Sequence, residues 1–203
     1  MEAYQILDRA AETAITRLRF RPVSEANLPK GFPEPTPLDE IVVKTYPAYR
    51  LVEAPVRTSN GGNDRGAFGI LFRHITSNSI PMTAPVEMTY GDPDQPRAET
   101  MAFLYESPEV GKTGEAEGCT VIDKPAQTVV SIGCRGYSSG ARIEEARKAL
   151  MNYLESRYDL KANGDLRVMG YNGPGVRGDR RYWELQVPVV MTAKRPGAQR
   201  DQL

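Results

Sequence analysis

Residues 79–90 read Ser-Ile-Pro-Met-Thr-Ala-Pro-Val-Glu-Met-Thr-Tyr, and the alternation within them decides the fold class. Ile80, Met82, Ala84, Val86 and Met88 fall on one side of an extended chain; Thr83, Glu87 and Thr89 fall on the other. That period of two belongs to a half-buried strand. Pro81 and Pro85 each remove a backbone donor, which predicts a strand at a sheet edge or one carrying a bulge.

Working outward from this stretch, an internal repeat organises the chain. An offset of 78 positions relates Pro47-Ala48 to Pro125-Ala126, Val43 to Val121, and Leu51-Val52 to Val129-Val130. The same offset aligns Phe68, Leu71, Phe72 and Ile75 with Ala146, Ala149, Leu150 and Tyr153. Each set is a stripe at i, i+3, i+4, i+7, one face of an amphipathic helix. Strand-like stretches follow each helix, at 80–90 and 99–106 and again at 165–171 and 181–190. The expected fold is therefore α+β: two pseudo-symmetric strand-helix-strand-strand repeats forming a distorted antiparallel sheet or barrel flanked by two helices. Turn residues support the boundaries. Asn63 or Asp64 is positioned to cap the first helix, and Ser138-Ser139 the second, with Glu144 and Glu145 near its positive end.

The amino-terminal part stands apart. Residues 4–20 repeat at helical spacing, then lead into a connector with four prolines between positions 28 and 37. The expected organisation is a helix and Pro-rich connector over 1–38, a domain over 39–192 with halves at about 39–112 and 113–192, and a polar tail over 193–203.

Composition bounds the rest. The chain has 203 residues and 40% hydrophobic content, enough for one domain with its own core. Lys+Arg 26 against Asp+Glu 26 argues against a general nucleic-acid binder. No apolar run reaches membrane-spanning length, and residues 1–20 lack the pattern of a cleavable signal. The expectation is a soluble, monomeric, cytoplasmic chain, with an organelle such as a plastid as the other setting. Cys119 and Cys134 bracket an expected hairpin and read as buried free thiols.

The Met-Thr-Ala-Pro-Val run at 82–86 resembles the signature of the SOUL/heme-binding protein family. Val-Val-Lys-Thr-Tyr-Pro-Ala-Tyr at 42–49 is similar to the family's opening strand, and Met-Gly-Tyr-Asn-Gly-Pro at 169–174 to its Tyr-Asn-x-Pro element. The likeness spans about residues 39–190, and it implies the same two-repeat architecture. It also implies non-covalent binding of heme or a related tetrapyrrole. Members proposed to ligate iron carry a histidine before the opening-strand tyrosine; here Thr45 precedes Tyr46. Other members hold the ring by apolar contact and propionate pairing. The family's Arg-x-Asn-Glu-Val-Trp strand corresponds here to Asp179-Arg180-Arg181-Tyr182-Trp183-Glu184, which exchanges an Asn-Glu pair for two arginines and favours an anionic ligand.

Candidate site residues follow from that chemistry. Tyr46, Tyr49, Phe72 and Trp183 offer flat walls, Met82 and Met88 (with Met101) adaptable apolar filling, and Arg50, Arg73 and Arg181 cations for carboxylates. His74, the only histidine, is the candidate heme ligand, although helical geometry sets it on the flank of its helix. A single histidine excludes a two-histidine metal site, and no nucleophile elbow, phosphate loop or dinucleotide fingerprint occurs.

Three function classes follow. The first is a non-enzymatic carrier or buffer of heme, another tetrapyrrole or a flat apolar small molecule. The second is a hydrolase: the architecture resembles GyrI-like small-molecule-binding domains, and Glu87 or Glu184 would be its general base. The third is an interaction module that binds a protein through the amino-terminal helix.

Overall fold

The computed structural model describes residues 20, 22–56, 65–91 and 97–192. The strands are β1 (Ile41–Tyr46), β2 (Tyr49–Pro55), β3 (Val86–Tyr90), β4 (Thr100–Leu104), β5 (Gly114–Ala116), β6 (Cys119–Lys124), β7 (Gln127–Arg135), β8 (Leu160–Ala162), β9 (Leu166–Gly170) and β10 (Tyr182–Met191). Helix α1 (Arg65–Ser77) follows β2, and α2 (Gly140–Glu155) follows β7. All ten strands share one sheet, ordered β1-β7-β10-β9-β3-β4-β2-β6-β5 with β8 beside β10. The architecture is mixed α+β; the sheet is open, so of the sheet and the barrel expected from sequence it is the sheet that forms.

The pairing differs from the expected hairpins. β6 and β7 are consecutive, yet β6 pairs with β2 and β7 with β1 and β10. Cys119 and Cys134 therefore do not close a hairpin; both are buried free thiols. Two bent strands run antiparallel instead, in one unbroken register from Ile41↔Ile132 through Tyr46↔Gln127 and Tyr49↔Lys124 to Glu53↔Thr120. Both Pro-Ala dipeptides fall at the bend of this ribbon, where a proline removes no ladder donor. The offset of 78 recurs in the pairing: Val43 faces Val130, and Val121 faces Val52.

β3 also departs from expectation. It lies in the interior of the sheet between β9 and β4, not at an edge. Strand pairing begins only at Val86, so Pro81 and Pro85 precede the ladder and cost it nothing.

The two faces of the sheet have different coverings. On one, α1 packs Ala67, Leu71 and Ile75 against Val52, Met101, Phe103 and Val121. Beside it, α2 packs Ile143, Ala146, Leu150 and Leu154 against Val130, Val168, Trp183, Leu185 and Val187. The buried faces are rotated from the expected stripes: Phe68 and Phe72 are 40% and 49% exposed, and Leu154 rather than Tyr153 is buried. On the other face, Phe20, Ala26, Leu28 and Phe32 pack over Tyr49, Leu51, Leu104, Met169, Tyr171 and Tyr182. The Pro-rich connector is thus part of the folded unit. Asn27 O accepts from Ala84 N at 3.0 Å, Val23 O accepts from Asn172 Nδ2 at 2.7 Å, and Glu106 O accepts from Lys30 N at 2.8 Å. The expected helix over residues 4–20, the cap at Asn63 or Asp64 and the tail over 193–203 lie outside the described residues, apart from Phe20.

Candidate functional site

Strand alternation sends Val86 and Met88 of β3, Met101 of β4 and Trp183 of β10 to the helix-bearing face. The two helices cover the outer parts of that face and leave its middle open. A groove of about 830 Å³ results, floored by those four side chains and by Gly170 of β9. Phe68 of α1 forms one wall; Tyr137, Ser138 and Ser139, leading into α2, form the opposite one. Met82 and Ala84, Arg181, the 171–174 loop and connector residues Glu25–Asn27 complete the rim.

Two details shape this space. Gly170 brings no side chain to a strand position on the floor; a Cβ there would meet only Val86 O, at 3.7 Å. Across the rim, a Cβ at Gly178 would run into the Tyr137 ring, so glycine lets that ring settle against the loop before β10. The Arg181 guanidinium then lies over Tyr137, 4.7 Å from the ring centroid, and its Nε donates to Val176 O at 2.9 Å.

Of the candidates named from sequence, Met82, Met88, Arg181 and Trp183 come together in this groove, as does Met101. Phe72 lies on the exposed side of α1, stacked on Phe68 with centroids 6.1 Å apart, and Arg73 is exposed beside it. Arg50 is committed elsewhere, to Asp123 at 2.7 and 2.9 Å and to the Val110 and Gly111 carbonyls. His74 is not among the groove residues: its Nε2 is 2.9 Å from Tyr105 OH, and partial burial lowers its pKa. The same environment pushes Tyr105 up to about 12, burial being the main cause. The sole histidine therefore ties α1 to Tyr105, the residue after β4.

Tyr46, Tyr49, Glu87 and Glu184 occupy the opposite face, because their positions alternate with Val43, Val52, Val86 and Trp183. Phe32 of the connector meets Tyr46 and Tyr49 edge-on, at 4.9 and 5.2 Å. Glu184 is fully buried and accepts from Thr36 N (2.7 Å), Ser131 Oγ (2.7 Å), Tyr171 OH (3.0 Å), Gln186 Nε2 (2.6 Å) and Lys44 Nζ (3.0 Å). Burial alone would raise its pKa; the Lys44 charge and the Thr36 and Ser131 donors outweigh that and hold it below the usual carboxylate range. Glu87 accepts from Arg167 at 3.2 Å and Tyr49 OH at 3.1 Å. Both oxygens of Glu184 are occupied, Oε2 of Glu87 takes both of its bonds, and both carboxylates lie on the face away from the groove, so neither is available there as a base.

Sequence reading assigned Ser138 and Ser139 to helix capping. Ser139 does take the N-cap position of α2, though its side chain makes no capping bond, and both residues line the groove. Phe68 belongs to the stripe expected in the core yet lines the groove, Gly170 falls within the quoted 169–174 motif, and no local pattern distinguishes Tyr137. Among the described residues no group of three or more His, Cys, Asp or Glu side chains could hold a metal ion, and no helix is long and apolar enough to cross a membrane.

The helix-bearing face thus carries an apolar groove between two helices on an open antiparallel sheet. The family model of the SOUL heme-binding protein matches residues 36–188, and the chain belongs to that family. No curated protein matches the chain. Among solved structures, EcmrR in the cryo-EM EcmrR-DNA complex aligns with a TM-score of 0.60 at 14% identity, over 74% of this chain and 57% of that one. The chain thus spans 57% of that protein's length. The separate EcmrR C-terminal domain aligns with a TM-score of 0.54 at 18% identity, over 75% of this chain and 98% of that one. A hydrolase from Listeria innocua gives 0.54 at 13% identity, over 77% and 94%. At these identities the likeness is one of fold.

Proposed function

We propose that this chain binds a tetrapyrrole, or another flat apolar small molecule, non-covalently in the groove between α1 and α2, acting as a carrier or buffer. The observation that carries this reading is the groove itself: about 830 Å³, walled by Phe68, Met82, Val86, Met88, Met101 and Trp183. That volume falls within the roughly 300–1,000 Å³ of small-molecule sites, and thioethers and aromatic rings adapt to a flat face. Family membership supports a tetrapyrrole as the ligand. The residues present fit a macrocycle held by its faces and its carboxylates; Trp183 Nε1, buried without a partner, offers it a donor. They offer no histidine to an iron, so affinity rests on ring contacts. Bound heme supplies a redox-active iron; the chain's side chains hold the ring and shield it from water. A formal charge of zero supports a small-molecule partner over nucleic acid, and a groove complete within one chain is consistent with a monomer. The placement of Glu87 and Glu184 on the sheet face opposite the groove weighs against hydrolysis there through either.

The test uses the single tryptophan as a reporter. Hemin and iron-free protoporphyrin should each quench Trp183 fluorescence saturably at one equivalent. Linear, unsaturable quenching by both would overturn the reading.

A further inference from the structure

The mouth of the groove carries exposed aromatic rings on both lips. On the α1 side, Phe68 and Phe72 are exposed and stacked on each other, and Arg73 is exposed beside them. On the α2 side, Tyr137 is 59% exposed. Single apolar residues on a surface need no explanation, but rings gathered around the opening of an apolar groove do.

Behind Tyr137 lies a cluster of arginines. The turn between β7 and α2 meets the turn before β10 through Gly136 N, which donates to Arg181 O at 2.8 Å, and Arg135 Nε, which donates to Asp179 O. That contact brings Arg135, Arg142, Arg177, Arg180 and Arg181 to one end of the molecule. Arg142 lies across the first turn: a Cβ at Gly136, whose φ of +96° already favours glycine, would meet its guanidinium. Within 135–142 and 176–181 the one carboxylate is Asp179, and Arg177 takes both of its oxygens at 3.1 Å. Arg142 and Arg180 are exposed and make no ion pair among the described residues. The chain as a whole has a formal charge of zero, so this concentration of one sign is local.

We propose that this rim is a docking surface for an anionic lipid bilayer. Phe72 and Tyr137 enter the headgroup region, Arg142, Arg177 and Arg180 meet lipid phosphates, and the groove opens onto the membrane that supplies its apolar ligand. The pairing of rings with cations favours a bilayer. Aromatic side chains settle at headgroup level, and basic residues beside them gain from the negative surface potential. Guanidinium groups pair there with phosphate oxygens. An acidic protein or a nucleic acid would engage the arginines and leave the stacked Phe68–Phe72 pair on the far lip without a role. The inference rests on the groove reading above and adds where the ligand is taken up; it concerns the outer rim and not the contacts made to the ligand.

The experiment is co-sedimentation of the full chain with vesicles of equimolar phosphatidylcholine and phosphatidylglycerol, and with vesicles of phosphatidylcholine alone, at low and high salt. Wild type should bind the anionic vesicles, and salt should weaken that binding. Each arginine near an anionic surface raises the partition about fivefold, so Arg142→Gln combined with Arg180→Gln should lower it about 25-fold. Phe72→Ala should lower it several-fold and leave the salt dependence in place. No binding to anionic vesicles, equal binding to both compositions, or an unchanged partition in the double variant would each overturn the proposal. Binding to polyglutamate or to an oligonucleotide that matches vesicle binding and is indifferent to Phe72→Ala would also overturn it, assigning the arginines to an acidic macromolecule.

Hemin quenching of Trp183 without vesicles keeps this test separate from that of the groove. Neither Arg142 nor Arg180 lines the groove, so the double variant should quench as wild type does, which also reports that it is folded. Saturable quenching without vesicle binding would remove the docking surface and leave the groove reading standing. Vesicle binding without hemin uptake would keep the surface and remove the tetrapyrrole.

Discussion

Lys44 Nζ stands 3.0 Å from both carboxylate oxygens of Glu184, and the pair is sealed on the sheet face opposite the groove. The ion pair belongs to the fold, and the proposed ligand site lies on the other side of β10. Glu184→Gln leaves Lys44 buried without a counter-charge, and breaking such a pair costs about 3–5 kcal/mol. Urea denaturation should show a loss of that order. Porphyrin affinity measured on the folded variant should be unchanged. A folded Glu184→Gln with full stability and impaired ligand handling would move Glu184 to the site.

Acid should expose the same pair. Glu184 in the folded chain titrates below the ordinary glutamate value near 4.5. The unfolded chain therefore takes up the proton first as pH falls. The carboxylate's contribution to stability is complete above that value and is lost as pH drops through the folded pKa. Urea midpoints of wild type and Glu184→Gln, measured between neutral pH and pH 3, should converge on acidification.

Removal of residues 1–37 should destabilise the domain. The truncation uncovers Tyr46 and Tyr49 beneath Phe32 and deletes the Thr36 N–H that Glu184 accepts. Thermal unfolding should shift down clearly; an unchanged midpoint would show the connector to be dispensable to the core.

His74→Ala should leave the hemin spectrum and affinity as in wild type. The substitution strands Tyr105 OH, so a stability loss of about 1 kcal/mol is expected instead. A changed Soret band in the variant would return His74 to the role of iron ligand.

Much of the architecture was legible because it depends on periodicity and punctuation. The alternation from Val86 to Met88 reports on backbone geometry, which short patterns encode. Partner choice was not legible: that β6 joins β2 and β7 joins β1 depends on register across the whole sheet. Hydrophobic periodicity separated Val86 and Met88 from Glu87. Strand structure covers only Val86–Tyr90, however; Ala84 packs into the cluster of the opposite face, and Pro81 and Pro85 stop short of the ladder. The site was half legible. Met82, Met88, Arg181 and Trp183 carry chemistry that suits a flat acid. Tyr46, Tyr49 and Arg50 carry it equally well and were separated from the groove only by parity and by committed partners such as Arg167 and Asp123. Gly170, Tyr137 and Ser139 matter through what they leave open, and a sequence does not display an absence.

The most direct test of the groove is Gly170→Val, which adds a side chain to the floor at a strand position with room for its Cβ. Hemin should be titrated into wild type and variant with Trp183 fluorescence as the readout, beside thermal unfolding of both. Saturable one-to-one quenching in wild type, lost in a Gly170→Val protein of unchanged midpoint, is the predicted result. Equal saturable quenching in both would place the ligand elsewhere and contradict the account.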